Sequence, residues 1–213
     1  IPTAPKLDEE LSKLKEKGMK ALVIDLRGNP GGLLSSAIEV CSRFVDTGKL
    51  IVSTEGRDKA MKSEYKALPC KKYLDSGESG LPMVILIDEN SASASEIVAG
   101  CMKDYKRAVL IGEKTFGKGS VQTIMPLPEN AGAIRLTTAK YFTPNKLQIH
   151  EHGIDPDINV PMDRKLMEKV YNQRIAYPGV VKPEGNGYAA DIQLERAIEV
   201  LKGIRVYNSA KNE

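Results

Sequence analysis

The stretch Asn90–Gln122, NSASASEIVAGCMKDYKRAVLIGEKTFGKGSVQ, decides how this chain is read. It runs as a small-residue turn, a helix, a strand, a glycine-rich turn and a second strand. Ser91, Ser93 and Ser95 crowd the helix start, and Lys118 stands between Gly117 and Gly119. Two roles compete for the serines. Asn90 and Ser91 are good N-cap residues, and capping alone needs no chemistry. A serine in the first turn also suits nucleophilic attack. The N–H of Ala94 would then face the oxygen of an attacked carbonyl, where the helix dipole favours negative charge.

The lysine has competing roles as well. Gly112–Lys118, GEKTFGK, fits G-x-x-x-x-G-K after a strand. A phosphate loop next requires Ser or Thr for the metal and then a helix. Gly119 follows instead, and SVQTI after it has a strand pattern, so the phosphate reading loses most of its physics. A serine nucleophile needs a base, and lysine is the available choice. His150 and His152 lie two apart with no Cys or carboxylate pattern to complete a metal set, and they read as surface residues. Neither G-x-S-x-G nor H-E-x-x-H occurs, and nothing points to a Ser-His-Asp triad. A free lysine amine titrates near ~10.4, and a base for neutral pH needs about 7 to 8. That shift of roughly 3 units is about 4 kcal/mol against the charged form, usually supplied by burial. Lys118 is therefore expected in an apolar, glycine-flanked setting. Gln122, on the same strand face, would orient the amine without adding charge.

Outward from this stretch, the chain alternates strands and helices. Leu7–Lys17 is an amphipathic helix with Leu7, Leu11 and Leu14 on one side, and Gly18 is its stop. Ala21–Leu26 (ALVIDL) has the pattern of a strand buried on both faces. Arg27–Gly32 (RGNPGG) is a glycine turn able to aim backbone N–H groups at an anion, or simply a tight strand–helix turn. It lacks the spacing of a dinucleotide fingerprint. A helix over Leu33–Phe44 follows, then a strand at Leu50–Thr54. Gly56–Gly80 reads as a strand or hairpin with polar surface loops. Pro82–Ile87 is another buried strand, and Glu96–Lys103 a helix. Ala108–Ile111, Ser120–Met125, Ala133–Tyr141 and Gln148–His150 are strand-like, and Gly153–Asp157 is irregular. Arg164–Ile175 is helical, Tyr177–Tyr188 a loop, and Asp191–Lys202 a helix capped by Asp191 and stopped by Gly203. The class is α/β.

The bulk numbers narrow the function. Of 213 residues, 41 % are hydrophobic and 28 % charged, and the net charge of +3 is too weak to argue for nucleic acid or a membrane surface. Trp is absent and the other aromatics are few, so base stacking is not suggested. Cys41, Cys70 and Cys101 show no CxxC spacing, so they imply neither a zinc site nor a disulfide framework. No run approaches the length of a membrane span.

Together, Asp25–Gly32 (DLRGNPGG), Asn90–Glu96 (NSASASE) and Gly112–Gln122 (GEKTFGKGSVQ) resemble the C-terminal processing peptidases, or tail-specific proteases. The likeness continues through Tyr141–Pro144, Gly153–Asp157 and Asp191–Leu194, and so covers most of the chain. It implies a ClpP/crotonase-like α/β protease core and a serine endopeptidase that cleaves polypeptides near their C-termini through a Ser/Lys dyad. In that reading Ser93 is the nucleophile, Lys118 the general base and Gln122 its support. Asp104 matches an acidic position that reads as structural. The oxyanion hole is implied at the N–H of Ala94 and an N–H of Gly31 or Gly32. No metal or cofactor is implied.

The implied partner is a polypeptide with an accessible C-terminus, without nucleic acid. A homo-oligomer and a regulatory or PDZ partner outside this chain are also open, in an extracytoplasmic setting. Nothing in residues 1–213 reads as a complete PDZ domain, and the protease core is expected to be incomplete at its N-terminus. Asn145-Lys146 departs from the glycine that usually follows Thr-Pro in the family. The alternative is a non-catalytic peptide- or ligand-binding module on the same fold. An acyl-CoA enzyme rests on fold analogy alone.

Overall fold

The structure is a computed structural model that describes residues 3–57, 62–70, 73, 81–128, 132–176 and 188–211. Its centre is a parallel sheet of β1 (Leu22–Asp25), β4 (Met83–Ile87), β5 (Val109–Gly112) and β8 (Ile158–Asn159), in the order β1-β4-β5-β8. All five residues of β4 are buried. Alternation sends Met83, Ile85 and Ile87 to one core, and Val84 and Leu86 to another on the opposite face. The continuous apolar run follows from this, since each face needs its own apolar residues. Burying one such side chain contributes roughly 1.5–3 kcal/mol.

The larger core is closed by α2 (Leu34–Ser42), the turn after it and α3 (Ala94–Asp104), through Cys41, Phe44, Ile97 and Met102. α1 (Thr3–Glu16) packs onto α2 with Ala4 and Leu11 buried, and Arg43 holds Asp8 at 2.8 Å. The helix begins one turn earlier than its apolar spacing suggests, because Pro5 is tolerated in a first turn. The second core is closed by α5 (Ile192–Lys211), through Ala197 and Leu201. α5 runs through Gly203 instead of stopping there. Gly203 has open space around it, and a glycine on such a surface costs only about 1 kcal/mol.

An antiparallel sheet flanks the first core, in the order β3-β2-β7-β6: β3 (Ser63–Lys66), β2 (Leu50–Gly56), β7 (Ala133–Phe142) and β6 (Ser120–Pro126). Gln148–His150 makes a single bridge at Gln148 rather than a strand. Of the expected loop 177–188, residues 177–187 lie outside the described residues, as does much of 56–80. α4 (Arg164–Ala176) follows β8 and covers a small third core of Met162, Val170 and Ala189.

The parallel sheet fixes where a site can form. All four of its strands point the same way, so the segments after β1, β4, β5 and β8 gather at one edge. Those segments are Leu26–Gly32, Asp88–Ser93, Glu113–Gly119 and Val160–Arg164. The carboxyl edge of such a sheet is where ligands bind in open α/β folds.

Candidate active site

At that edge the three serines separate. Ser91 is fully buried and Ser95 nearly so, whereas Ser93 is partly exposed. Ser91 Oγ donates to Leu26 O at 2.8 Å and accepts the Asp88 N–H at 3.0 Å, a structural role. Ser93 caps α3 with φ 57° and ψ −115°. That backbone is rarely adopted by a residue with a side chain and costs on the order of 1–3 kcal/mol, so the surroundings must impose it. They do. Ala92 donates its N–H to Asn29 O at 3.0 Å, and Asp88 Oδ1 accepts from Gly28 and Asn90 at 2.9 and 3.0 Å. The turns after β1 and β4 are thereby sewn together.

Glu96, which the sequence reading takes only as the first residue of a helix, is the anchor of the site. It is fully buried. Its Oε2 accepts the Ser93 N–H and the Lys118 N–H, both at 2.8 Å. Its Oε1 accepts from Gly117 N–H at 2.7 Å and Thr115 Oγ1 at 2.6 Å. Four donors satisfy one buried carboxylate, which is what its burial requires. One side chain thus ties the backbone of the serine to the backbone of the lysine. The available signal was the S-x-x-E spacing of Ser93 and Glu96, the signature of a capping box.

The oxyanion candidates divide. A Cβ on Gly31 would lie 2.5 Å from Ala92 O and 2.6 Å from Ala94 N, so only glycine lets this turn approach Ser93. Gly31 has φ +87° and donates its own N–H to Asn29 Oδ1 at 2.9 Å. Among the described residues, no acceptor takes the N–H of Ala94 or of Gly32. Ala94 and Gly32 are therefore the free donors, and Gly31 contributes the close approach.

The lysine half departs from expectation. Lys118 is exposed, so the apolar enclosure expected around its amine is not formed by the described residues. Its backbone is held by Glu96 and by its neighbours, since Gly117 and Gly119 pack against the backbone of Ile149, His150 and Glu151. The side chain beyond this point has no hydrogen-bond or ion-pair partner among the described residues. Gln122 is exposed and likewise unpartnered among them, and β6 begins only at Ser120, so strand alternation does not extend back to Lys118. The structure places Ser93 and Lys118 on one anchor but does not join Gln122 to them. Asp104 lies at the far end of α3 and accepts the Asn145 N–H at 2.7 Å, the structural role expected of it. His152 is exposed, while His150 is half-buried with a buried Nδ1 that has no partner among the described residues, so only His152 is the surface residue expected. Among the described residues no cluster of His, Cys, Asp or Glu could hold a metal.

The remaining sequence motifs brace this edge. Arg27 is almost buried and binds Asp25 and Asp191, each at 2.7 Å, and Gln193 Oε1 at 2.9 Å. The start of α5 is thereby pinned beside the glycine turn. Burial pushes the Asp191 carboxyl up, and the hydrogen bonds from Arg27 outweigh it, so the net direction is down. Thr115 Oγ1 accepts the Ile154 N–H at 2.7 Å, which docks Gly153–Asp157 under the lysine loop. A cleft of about 780 Å³ opens over the edge, lined by Ala92, Lys118 and Phe116 on one side and by α4 on the other.

Known proteins resemble this chain in sequence and in fold. The family model "Peptidase family S41" matches residues 2–160. The carboxy-terminal-processing protease of Bartonella bacilliformis is 42 % identical over 208 residues, covering 90 % of this chain and 46 % of its own length. The carboxyl-terminal-processing protease of Synechocystis sp. is 36 % identical over 195 residues, covering 91 % and 39 %. The solved photosystem II D1 C-terminal processing protease aligns with a TM-score of 0.66 and 33 % identity over 75 % of this chain and 39 % of its own. The chain spans less than half the length of these relatives. With the family model matched over more than half of its residues, and the serine and lysine segments meeting at one sheet edge, the chain belongs to peptidase family S41.

Proposed function

We propose that this chain is the catalytic core of a serine endopeptidase that cleaves polypeptides near their C-termini. Ser93 Oγ attacks the scissile carbonyl while Lys118 Nζ takes its proton. The tetrahedral oxyanion is met by the N–H groups of Ala94 and Gly32 at the positive end of α3. Collapse breaks the C–N bond, and Lys118 returns the proton to the leaving amine. Water, deprotonated by the same amine, then hydrolyses the acyl-serine. Gln122 orients the amine once substrate is bound, when catalytic hydrogen bonds tighten. Asn145-Lys146, in place of the usual glycine, lies beyond these contacts.

One observation carries the reading: the Glu96 carboxylate holds the Ser93 and Lys118 N–H groups at 2.8 Å each, next to a serine in a strained, accessible conformation. The relatives are named as C-terminal processing proteases, which supports the substrate class. Ser93→Ala and Lys118→Ala are each expected to abolish cleavage of an unstructured substrate with a free tail. Full activity in Lys118→Ala would overturn the dyad.

The exposure of Lys118 favours one second reading, a binding module that does not hydrolyse its ligand. A serine-directed phosphonate separates the two, since a module without an activated serine leaves Ser93 unlabelled. The family resemblance also supports an extracytoplasmic location, which fractionation of the source cell tests.

A further inference from the structure

We infer that Arg27 is a positioning residue of the reaction: it clamps the turn that carries Gly31 and Gly32 to the start of α5, and that clamp sets where the Gly32 N–H meets the oxyanion. This rests on the peptidase reading and names a residue that acts on its oxyanion site without touching substrate. Arg27 Nε donates to Asp25 Oδ1 at 3.1 Å. Its Nη1 donates to Asp191 Oδ1 at 2.8 Å and to Gln193 Oε1 at 2.9 Å. Its Nη2 donates to Asp25 Oδ2 and Asp191 Oδ2, each at 2.7 Å. All the N–H donors of the guanidinium are thereby engaged. The Arg27 side chain borders the cleft, but it keeps no donor for a ligand.

The clamp reaches the reacting groups through the backbone. Leu26 O accepts the Asn29 N–H at 3.1 Å, which closes a tight turn with Arg27 and Gly28 at its centre. Asn29 passes the position on. Its Oδ1 accepts the Gly31 N–H at 2.9 Å, and its backbone O accepts the Ala92 N–H at 3.0 Å, next to Ser93. On the side facing β4 the turn is held by Asp88 Oδ1, which accepts the Gly28 N–H at 2.9 Å. On the other side Arg27 ties it to α5. Gln193, fully buried, continues that tie by donating its Nε2 to Val160 O at 2.8 Å. Asp25 is also held by Arg174 of α4 at 2.9 Å, so cations and carboxylates alternate through Arg174, Asp25, Arg27 and Asp191.

This place needs a planar fork. Lysine carries the same charge, but one ammonium cannot serve Asp25, Asp191 and Gln193 in these directions. Desolvation offsets much of the attraction in a buried ion pair, so net stability is a weak reason for the cluster. Its directional hydrogen bonds instead hold β1, α5 and the glycine turn in one register.

The experiment measures kcat and KM for the full chain and for Arg27→Lys, Asp191→Asn and the double variant. The substrate is one unstructured polypeptide with a free tail, and each rate is taken well below the unfolding temperature. Asp191→Asn is the milder change, because Asp25 and Gln193 still hold the guanidinium, so it tests the clamp even where Arg27→Lys does not fold. Asp8→Asn is the control, since it breaks the Arg43–Asp8 pair of 2.8 Å between α1 and the end of α2, away from the site. Arg27→Lys is expected to lower kcat by about 10²-fold, the scale of one lost oxyanion donor, and Asp191→Asn by about tenfold, with KM nearly unchanged in both. The double variant should lose no more than Arg27→Lys, because both changes act on one clamp. Asp8→Asn should lower the unfolding temperature and leave kcat in place. Wild-type kcat in Arg27→Lys or Asp191→Asn at a lowered unfolding temperature overturns the inference and makes the cluster a brace only. Additive losses in the double variant, or an equal loss of kcat in Asp8→Asn, overturn it as well. A wild-type protein that neither cleaves the substrate nor takes a serine-directed phosphonate on Ser93 instead defeats the peptidase reading itself, so the two failures are distinct.

Discussion

The two halves of the site are built to different degrees of completion. The serine half is fixed on every side. Ser93 is strained into place, its N–H is held by Glu96, and the Gly31 turn presses against Ala94 with no room for a methyl group. The lysine half is fixed only in its backbone. Glu96 grips the Lys118 N–H at 2.8 Å, but the amine extends into the open cleft. The proposed oxyanion donors, the N–H groups of Ala94 and Gly32, are thus set by the fold, where preorganisation is most effective. The proposed base, by contrast, is positioned at its root and left without enclosure by the described residues. A substrate filling the cleft would supply part of that enclosure.

The largest expected break in this comparison comes from Glu96, because it serves both halves. In Glu96→Gln the amide group turns at least one N–H donor toward Ser93 N–H and Lys118 N–H, or toward Thr115 and Gly117. Each buried donor left unpaired costs about 1–3 kcal/mol. Two of them imply a loss of kcat/KM on the order of 10²-fold or more, with a lower unfolding temperature. Near-wild-type activity in Glu96→Gln would show that the tie between the halves is incidental. Thr115→Val removes one of the four donors and should fall well short of this effect, as read by the same two measurements.

A substitution confined to the serine half comes next. Gly31→Ala places a Cβ 2.5 Å from Ala92 O and 2.6 Å from Ala94 N, in a backbone with φ +87°. The turn must retreat, and Gly32 retreats with it. Losing one oxyanion donor costs about 10²-fold in kcat. KM for a peptide should change little, because the donor acts on the transition state. A rise in KM at constant kcat would mean that the turn binds substrate and does not stabilise the oxyanion.

The sequence made the serine half more legible than the lysine half, for physical reasons. Buried strands such as Pro82–Ile87 announce themselves because both faces need apolar residues. The helix start at Ser93 is announced by small polar residues before an apolar stripe. The order of motifs pointed to Ser93 and Lys118, and the structure puts both at one sheet edge. Exposure is a tertiary property, however, and glycines on either side of Lys118 do not encode it. Those glycines admit the backbone of Ile149, His150 and Glu151, a long-range contact that no local pattern reports. Glu96 was overlooked because a glutamate in a first helical turn is ordinary, and only the meeting with residues 115–118 makes it an anchor. The reach of Arg27 to Asp191 and Gln193 is similarly invisible, since they lie 164 and 166 residues from it. Gly203 misled in the opposite direction, because a glycine is a weak stop where the helix on both sides is otherwise well formed.

The smallest expected effect tests the lysine half alone. The Gln122 side chain is exposed and has no hydrogen-bond partner among the described residues, while its backbone pairs with Thr137 of β7, so any contribution of the side chain is confined to the reacting complex. One neutral hydrogen bond is worth about 1 kcal/mol, so Gln122→Ala should lower kcat/KM by about tenfold or less. Lys118→Ala, which removes the base itself, should leave no measurable turnover. The partition between kcat and KM separates orientation from bystander status. An orienting Gln122 acts on the proton transfer, so its loss lowers kcat and leaves KM nearly unchanged. An undiminished kcat removes Gln122 from the mechanism and leaves the amine to be positioned by its backbone and by substrate. A loss as complete as that of Lys118→Ala would mean the opposite. The amine would then depend on Gln122 as fully as Ser93 depends on its turn, and the two halves would be equally built once substrate is bound.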